Sequence, residues 1–102
     1  MIHAEFRKIN GKFSGFEISG HAGYAGKGED VVCAAVSSAV QFTVNLLEEF
    51  GCEPEASAGA TVRCKIAGQH ETGSRIVSRL MEHLTAILEE FPETINITIS
   101  EV

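Results

Sequence analysis

The run of residues 74–91 constrains the fold more than any other part of the chain. Its apolar residues repeat at the spacing of one helical face: Ile76, Val77, Leu80, Met81, Leu84, Ile87, Leu88 and Phe91. Ser74 can cap the start of this helix, and Pro92 cannot continue it. A helix with one apolar side needs an apolar surface to pack on, so the rest of the chain must supply that surface.

Strands with alternating apolar and polar residues can supply it. The apolar residues of the first strand are Ile2, Ala4 and Phe6. The strand runs into Asn10-Gly11, the dipeptide typical of a two-residue hairpin turn, and residues 13–20 form the returning strand. Gly15 can ease a twist or a bulge there. A last strand after the second helix alternates Ile95, Ile97 and Ile99 with polar residues.

A first helix is predicted over residues 31–50, with Gly51 as its C-terminal stop. Its first half is apolar nearly all round, so a dimer partner is a plausible second cover beside the sheet. Residues 52–57 and 61–67 are predicted to form a second hairpin. Pro54 cannot donate a backbone hydrogen bond, which favours an edge position for the earlier strand.

These elements follow one another in the order β-β-α-β-β-α-β. The order predicts an α+β two-layer sandwich with a mostly antiparallel sheet that carries both helices on one face. At 102 residues the chain is expected to be a single domain spanning residues 1–102, with a modest core.

The net charge limits the partners of this domain. The formal charge is −6 at pH 7, and the eight Lys and Arg residues are scattered along the chain. Nucleic acids and anionic membranes both attract positively charged surfaces, so neither is an expected partner. A basic protein substrate suits the charge better.

The cysteines and the N-terminus predict a cytoplasmic protein. The chain has three cysteines, Cys33, Cys52 and Cys64. An odd number without a C-x-x-C pair is typical of reduced thiols. The first residues have a strand pattern and not that of a signal peptide. No run is expected to approach the roughly 20 apolar residues of a membrane span.

One histidine and one cysteine flank a glycine-rich stretch in the first third of the chain. His21 follows the second predicted strand, and Cys33 falls in the first turn of the first predicted helix, with Asp30 as its N-cap. The positive end of the helix dipole and a nearby imidazole both favour a thiolate, so Cys33 is a candidate nucleophile and His21 its base. The alternative is that Cys33 is a small core residue.

The residues around this pair carry a family resemblance. Gly20-His21-Ala22, followed by Gly28-x-Asp30-x-Val32-Cys33-Ala34-x-Val36-Ser37, resembles the signature of the ribosomal-processing cysteine proteases, the Prp family. Length and element order also fit. The resemblance implies that His21 and Cys33 form a catalytic dyad. It also implies a homodimer that removes the short N-terminal extension of large-subunit ribosomal protein twenty-seven.

Other residues near the pair have two interpretations each. Asp30 is either a helix cap or a group that orients the imidazole of His21. Ser37 lies one turn after Cys33 and either points its hydroxyl toward the site or bonds back to the helix backbone. The backbone N–H of Cys33, with one from the loop, is a candidate oxyanion hole.

The glycine-rich loop is expected to shape or cover a cleft when a peptide binds; the alternative is a static loop. Tyr24 and Lys27 are its candidate substrate contacts, and its glycines are Gly20, Gly23, Gly26 and Gly28. The pattern around Lys27 fails as a phosphate-binding loop. No metal spacing is recognisable, so neither metal nor cofactor is expected.

Two other functions remain open at this stage. A non-catalytic ribosome-associated peptide-binding or adaptor module would use the same loop to grip a partner peptide. A small thiol-redox protein would need a resolving cysteine, and none lies near Cys33 in the sequence.

Overall fold

The computed structural model describes residues 1–20, 29–57, 61–66 and 71–102, and of residues 29 and 30 only the backbone. The strands are β1 (Ile2–Ile9), β2 (Lys12–Ser19), β3 (Pro54–Ser57), β4 (Thr61–Ile66) and β5 (Ile95–Glu101). The helices are α1 (Glu29–Glu49) and α2 (Glu71–Glu90). The predicted order β-β-α-β-β-α-β is confirmed.

The five strands form one sheet in the order β3-β4-β2-β1-β5. The pairs β1–β2, β2–β4 and β3–β4 are antiparallel, whereas β5 lies parallel to β1. The sheet is therefore mixed, because the chain reaches β5 through α2 and not through a hairpin. Pro54 begins the edge strand β3, as its missing N–H predicts.

The first hairpin closes through a tight turn and contains a bulge. Asn10 and Gly11 both have positive φ, 52° and 80°, as a two-residue primed turn requires. Arg7 pairs with Gly15 and Lys8 with Phe13, which leaves Ser14 as the extra residue on β2. The bulge predicted near Gly15 is confirmed.

Both helices cover the same face of the sheet, as predicted. The buried side chains on that face alternate along the strands and include Ile2, Ala4, Phe6, Phe16, Ile18, Cys64, Ile66 and Ile95. They pack with the buried side chains of the helices, Val32, Val36, Val40, Leu47, Val77, Leu80 and Leu84. The opposite face is polar, and there Glu17 accepts hydrogen bonds from Arg7 and Arg63.

Both helices begin earlier than predicted. The first starts at Glu29 and not at Val31, and α2 starts at Glu71 and not after Ser74. Ser74 is therefore not a cap. Its Oγ instead accepts a hydrogen bond of 2.9 Å from the backbone N–H of Phe13, which ties α2 to β2 at the bulge.

The C-terminal end of α1 matches its prediction. Gly51 has a φ of 70°, and its N–H bonds to the carbonyl of Glu48 at 3.1 Å. The N–H of Cys52 reaches the carbonyl of Leu47 at 2.9 Å. The two bonds together form a Schellman motif that satisfies the last free carbonyls of the helix.

The apolar length of α1 exceeds what the sequence analysis expected. Val31–Glu49 is long and apolar enough to cross a membrane, judged by length and composition alone. The prediction that no run approaches that length is therefore wrong. A core helix meets the same criterion, and in this fold Val32, Val36, Val40 and Leu47 of α1 are buried against the sheet and α2.

Candidate functional site

Gly20 marks the place where the chain leaves the sheet toward His21. It has a φ of 84°, and a Cβ at this position would lie 2.5 Å from the carbonyl oxygen of Met1. Only glycine fits such a close approach at positive φ without strain. The N–H of Ile2 bonds to the carbonyl of Thr94 at 3.0 Å at the same end of the sheet. Glycine at position 20 thus allows the end of β2 to lie close to the start of β1.

The histidine and most of the loop residues named from the sequence lie outside the described residues: His21, Gly23, Tyr24, Gly26, Lys27 and Gly28. Of Asp30, the structure describes the backbone alone. The separation of His21 and Cys33, and the roles predicted for the loop, stay predictions.

Cys33 is the fifth residue of α1 and is half-buried beside the core. It follows the fully buried Val32, so the helix packing fixes the position of its backbone. Cys52 and Cys64 differ from it because both are buried free thiols. Burial raises the pKa of both thiols, that of Cys64 to about 11. Neither buried thiol is suited to act as a nucleophile at neutral pH.

The early start of α1 corrects two details at its N-terminus. Asp30 is the second helical residue, so the prediction that it is the N-cap is wrong. In an α-helix that begins at Glu29, the backbone N–H of Cys33 bonds to the carbonyl of Glu29. That N–H is therefore not available for the oxyanion hole suggested from the sequence. The sequence-based prediction placed the start of α1 too late because it took Asp30 as the N-cap.

Ser37 lies one helical turn beyond Cys33 and is exposed. It borders a groove of about 340 Å³ between α1 and the sheet, here called the α1–sheet groove. Its apolar lining residues are Ile18, Val36, Val40, Val44, Ala56 and Val62, and its polar ones are Ser37, Gln41 and Ser57. The two interpretations of the Ser37 hydroxyl remain predictions.

The α1–sheet groove was not found from the sequence, because its walls come from α1 and three strands that are distant along the chain. The apolar spacing Val36, Val40, Val44 was the available signal. It indicates one face of a helix but not whether that face is covered.

A second groove separates α1 from α2 and is here called the interhelix groove. It measures about 570 Å³, and its apolar lining includes Ala35, Ala39, Phe42, Leu46, Ile76 and Leu80. Phe42 is 65% exposed although it lies on the apolar helix. The sequence-based expectation that α1 needs more cover than the sheet provides is consistent with this exposed ring.

The described residues contain no group of three or more His, Cys, Asp or Glu side chains that could hold a metal ion. His21 lies outside those residues.

Comparison with known proteins identifies a family and a shared fold. The sequence profile of a family described as cysteine protease Prp matches residues 1–96. The family resemblance seen in the motif is thereby confirmed. No curated protein sequence is significantly similar to the chain.

Solved structures share the whole fold. A Streptococcus mutans protein, SMU.848, is 26% identical with a TM-score of 0.83, over 100% of this chain and 96% of that one. An essential ribosomal processing protease Prp from Staphylococcus aureus, in complex with a substrate peptide, is 22% identical with a TM-score of 0.88. The same protease with a covalently linked product peptide is 23% identical with a TM-score of 0.83. Each of these two matches covers 98% of this chain and 100% of the other.

Proposed function

The chain belongs to the cysteine protease Prp family and is a cysteine peptidase, and we propose that Cys33 and His21 form its catalytic dyad. The observation that carries the proposal is the position of Cys33. Of the three cysteines, all of which lie in the described residues, Cys33 is the one that is not buried, and it lies near the start of α1. β2 ends at Ser19, two residues before His21 in the sequence.

The proposed reaction passes through an acyl-enzyme. His21 accepts the proton of the Cys33 thiol as the sulfur attacks the carbonyl carbon of the scissile peptide bond. His21 then gives that proton to the leaving nitrogen, the C–N bond breaks and a thioester remains. Water, deprotonated by His21, attacks the thioester and releases the acid, and the proton returns to the sulfur.

The proposed substrate is the short N-terminal extension of large-subunit ribosomal protein twenty-seven. The Staphylococcus aureus relative is described as a ribosomal processing protease with a bound substrate peptide, which supports this substrate class. The net charge of −6 also suits a basic protein, since opposite charges raise the rate of encounter. Ribosomal proteins are made in the cytoplasm, so we propose that the protein acts there. Because its net charge is negative, we expect it to bind neither nucleic acid nor an anionic membrane directly.

The remaining site residues keep proposed supporting roles. Asp30, in the first turn of α1, is proposed to orient the imidazole of His21. Ser37 is proposed to contact substrate at the end of the α1–sheet groove. Gly20 directs the loop, and Tyr24 and Lys27 are its proposed substrate contacts.

The test is cleavage of a peptide that spans the extension of the organism's own ribosomal protein, followed by mass spectrometry. Cys33→Ala and His21→Ala are expected to abolish cleavage while the circular dichroism spectrum stays unchanged. Cys64→Ala is the matched control and is expected to retain cleavage, because its thiol is buried and has a raised pKa. Cleavage that survives Cys33→Ala would rule out the dyad.

Alkylation separates the protease from a non-catalytic adaptor. Cys33 is expected to react with iodoacetamide at neutral pH faster than Cys52 and Cys64, whose burial raises their pKa. Equal labelling of all three thiols, together with peptide binding but no cleavage, would favour the adaptor.

The homodimer is proposed to form through the interhelix groove. Phe42 is 65% exposed there, among apolar residues of both helices, and a second copy would bury it. Phe42→Ser is expected to yield a monomer in light scattering, whereas Phe50→Ser is the control. Phe50 is similarly exposed, at 59%, but does not line the groove. A dimer unaffected by Phe42→Ser would exclude this interface.

A further inference from the structure

We infer that the free edge of β5, its side away from β1, binds a segment of another protein by strand addition. The segment becomes a sixth strand of the sheet. It carries apolar side chains at alternate positions and a lysine or arginine at each end. This inference goes beyond the proposed function and does not need Cys33 to be the nucleophile.

The hydrogen bonds between β5 and β1 show which backbone groups of β5 are free. The carbonyl of Thr94 accepts a bond of 3.0 Å from the N–H of Ile2, and the N–H of Val102 donates one of 3.0 Å to the carbonyl of Lys8. In a parallel pair, every second residue directs its N–H and C=O to the partner strand, so the even-numbered residues of β5 bond to β1. The odd-numbered residues therefore direct these groups to the free edge.

The edge of β5 lacks the features that protect edge strands in most proteins, which are short length, proline, lysine or a bulge. β3, the other edge strand, is 4 residues long and begins at Pro54. β5 is 7 residues long, contains neither proline nor lysine, and pairs with β1 in one continuous register. In the part of the chain that the structure describes, no strand pairs with its outer side. This edge can therefore accept a further strand.

Apolar side chains extend from the core along the same edge. Ile95 is buried, Ile97 is partly buried and Ile99 is 51% exposed. A sixth strand would place its own side chains beside Ile97 and Ile99, and apolar pairs across strands stabilise a sheet. The even-numbered residues of β5 are polar, so the residues of the segment on that face are expected to be polar too. The edge therefore selects alternating apolar and polar residues.

The charges at the two ends of β5 specify the ends of the segment. Glu93 precedes the strand and Glu101 is its last residue, and β5 carries no other charge. Within the described residues, neither carboxylate forms a salt bridge. A lysine or arginine at each end of the segment would supply the missing partners. A second copy of β5 would bring glutamates instead, so a segment of another protein suits this edge better.

Hydrogen exchange measured by NMR tests the strand addition, in the Cys33→Ala variant so that the proposed nucleophile is absent. In the free protein, the amides of Ile97 and Ile99 are expected to exchange fast and that of Thr98 slowly. An excess of the peptide Lys-Thr-Val-Thr-Val-Thr-Lys is expected to slow exchange at Ile97 and Ile99 at least about tenfold. Unchanged exchange, or the same protection on raising the protein concentration alone, would overturn the inference.

Ile99→Pro tests the backbone bonds of the added strand. It removes an N–H that points outward, so the bonds of β5 to β1 stay in place. It is expected to weaken peptide binding at least about tenfold, whereas the matched control Ile99→Val should change it less than about twofold. Slow exchange at Thr98 verifies that β5 is still paired in the proline variant. Unchanged affinity in that variant would contradict strand addition.

Two double variants test the charged ends. Glu93→Gln with Glu101→Gln is expected to lower the affinity for the lysine-ended peptide at least about threefold. It should also abolish the preference for that peptide over one that has glutamates in place of the lysines. Glu48→Gln with Glu49→Gln changes the net charge equally at the end of α1 and should alter the affinity less than about twofold. Equal losses in both double variants would assign the effect to net charge and contradict the proposed ends.

Discussion

Gly15 is the residue where a single methyl group tests the packing of the sheet most directly. A Cβ at this position would overlap the carbonyl oxygen of Cys64 on the neighbouring strand and lie 3.2 Å from the Cα of Lys65. Both are backbone atoms, which cannot rotate away as the end of a side chain can. Gly15→Ala must therefore push β2 and β4 apart.

The magnitude combines two costs. An added methyl group in a packed region costs about 1 to 3 kcal/mol, and each weakened backbone hydrogen bond about 1 kcal/mol. The free energy of unfolding should thus fall by roughly 2 to 4 kcal/mol, which corresponds to a Tm lower by roughly 10 to 20 °C for a domain of this size. Without the steric conflict, Ala in place of Gly in a strand would raise the free energy of unfolding by about 0.5 to 1 kcal/mol. The sign of the measured change therefore shows whether the conflict exists.

The measurement is urea unfolding followed by circular dichroism, together with hydrogen exchange of the β4 amides. Gly11→Ala is the control, because its φ is 80° but no atom lies within 4 Å of the added methyl group. It should cost about 1 to 2 kcal/mol through its left-handed backbone and leave exchange in β4 unchanged. A Gly15→Ala protein as stable as the wild type would refute the close approach of the two strands.

Three further stability predictions follow from buried contacts. Ser74→Ala leaves the N–H of Phe13 without its acceptor and should lower the free energy of unfolding by about 1 to 3 kcal/mol, whereas Thr85→Ala, on the exposed side of α2, should change it by less than about 0.5 kcal/mol. Leu84→Ala empties a fully buried position and should cost about 2 to 5 kcal/mol; a smaller loss would mean that the core collapses around it. Burial raises the pKa of Cys64 from 9.0 to about 11, so between these pH values the unfolded chain loses a proton that the folded chain keeps. Stability should therefore fall by roughly 2 to 3 kcal/mol as pH rises through this range, and Cys64→Ala should flatten the profile; an unchanged slope would assign it to other groups.

Local sequence patterns were sufficient to predict the helices, strands and turns of this fold. The hairpin at Asn10-Gly11, the edge strand at Pro54 and the Schellman end at Gly51 each depend on the φ, ψ preferences of one or two residues, and the sequence displays those residues directly. The helix starts were less well predicted. Asp30 and Ser74 are good capping residues, but both lie inside helices that begin earlier. Capping preference is worth only about 1 kcal/mol, which tertiary packing readily outweighs.

The candidate nucleophile Cys33 was also named from the sequence, because the motif around it is continuous along the chain. The family profile confirms the family, and the role of Cys33 stays a prediction. The local sequence did not show which of the other cysteines are buried. Cys52 and Cys64 are buried because strands and helices distant in sequence close over them.

The sequence by itself determined the order of the elements, the α+β class and the family, since each depends on residues that are close together along the chain. Only the tertiary structure decided that β5 joins the sheet parallel to β1, that Ser74 bonds to β2, and that the stripe beyond Cys33 borders an open groove. These features need the relative positions of elements that are distant in sequence; Ile2, for example, pairs with Ile95. Such positions are fixed by how the whole apolar surface is buried at once and not by any local preference.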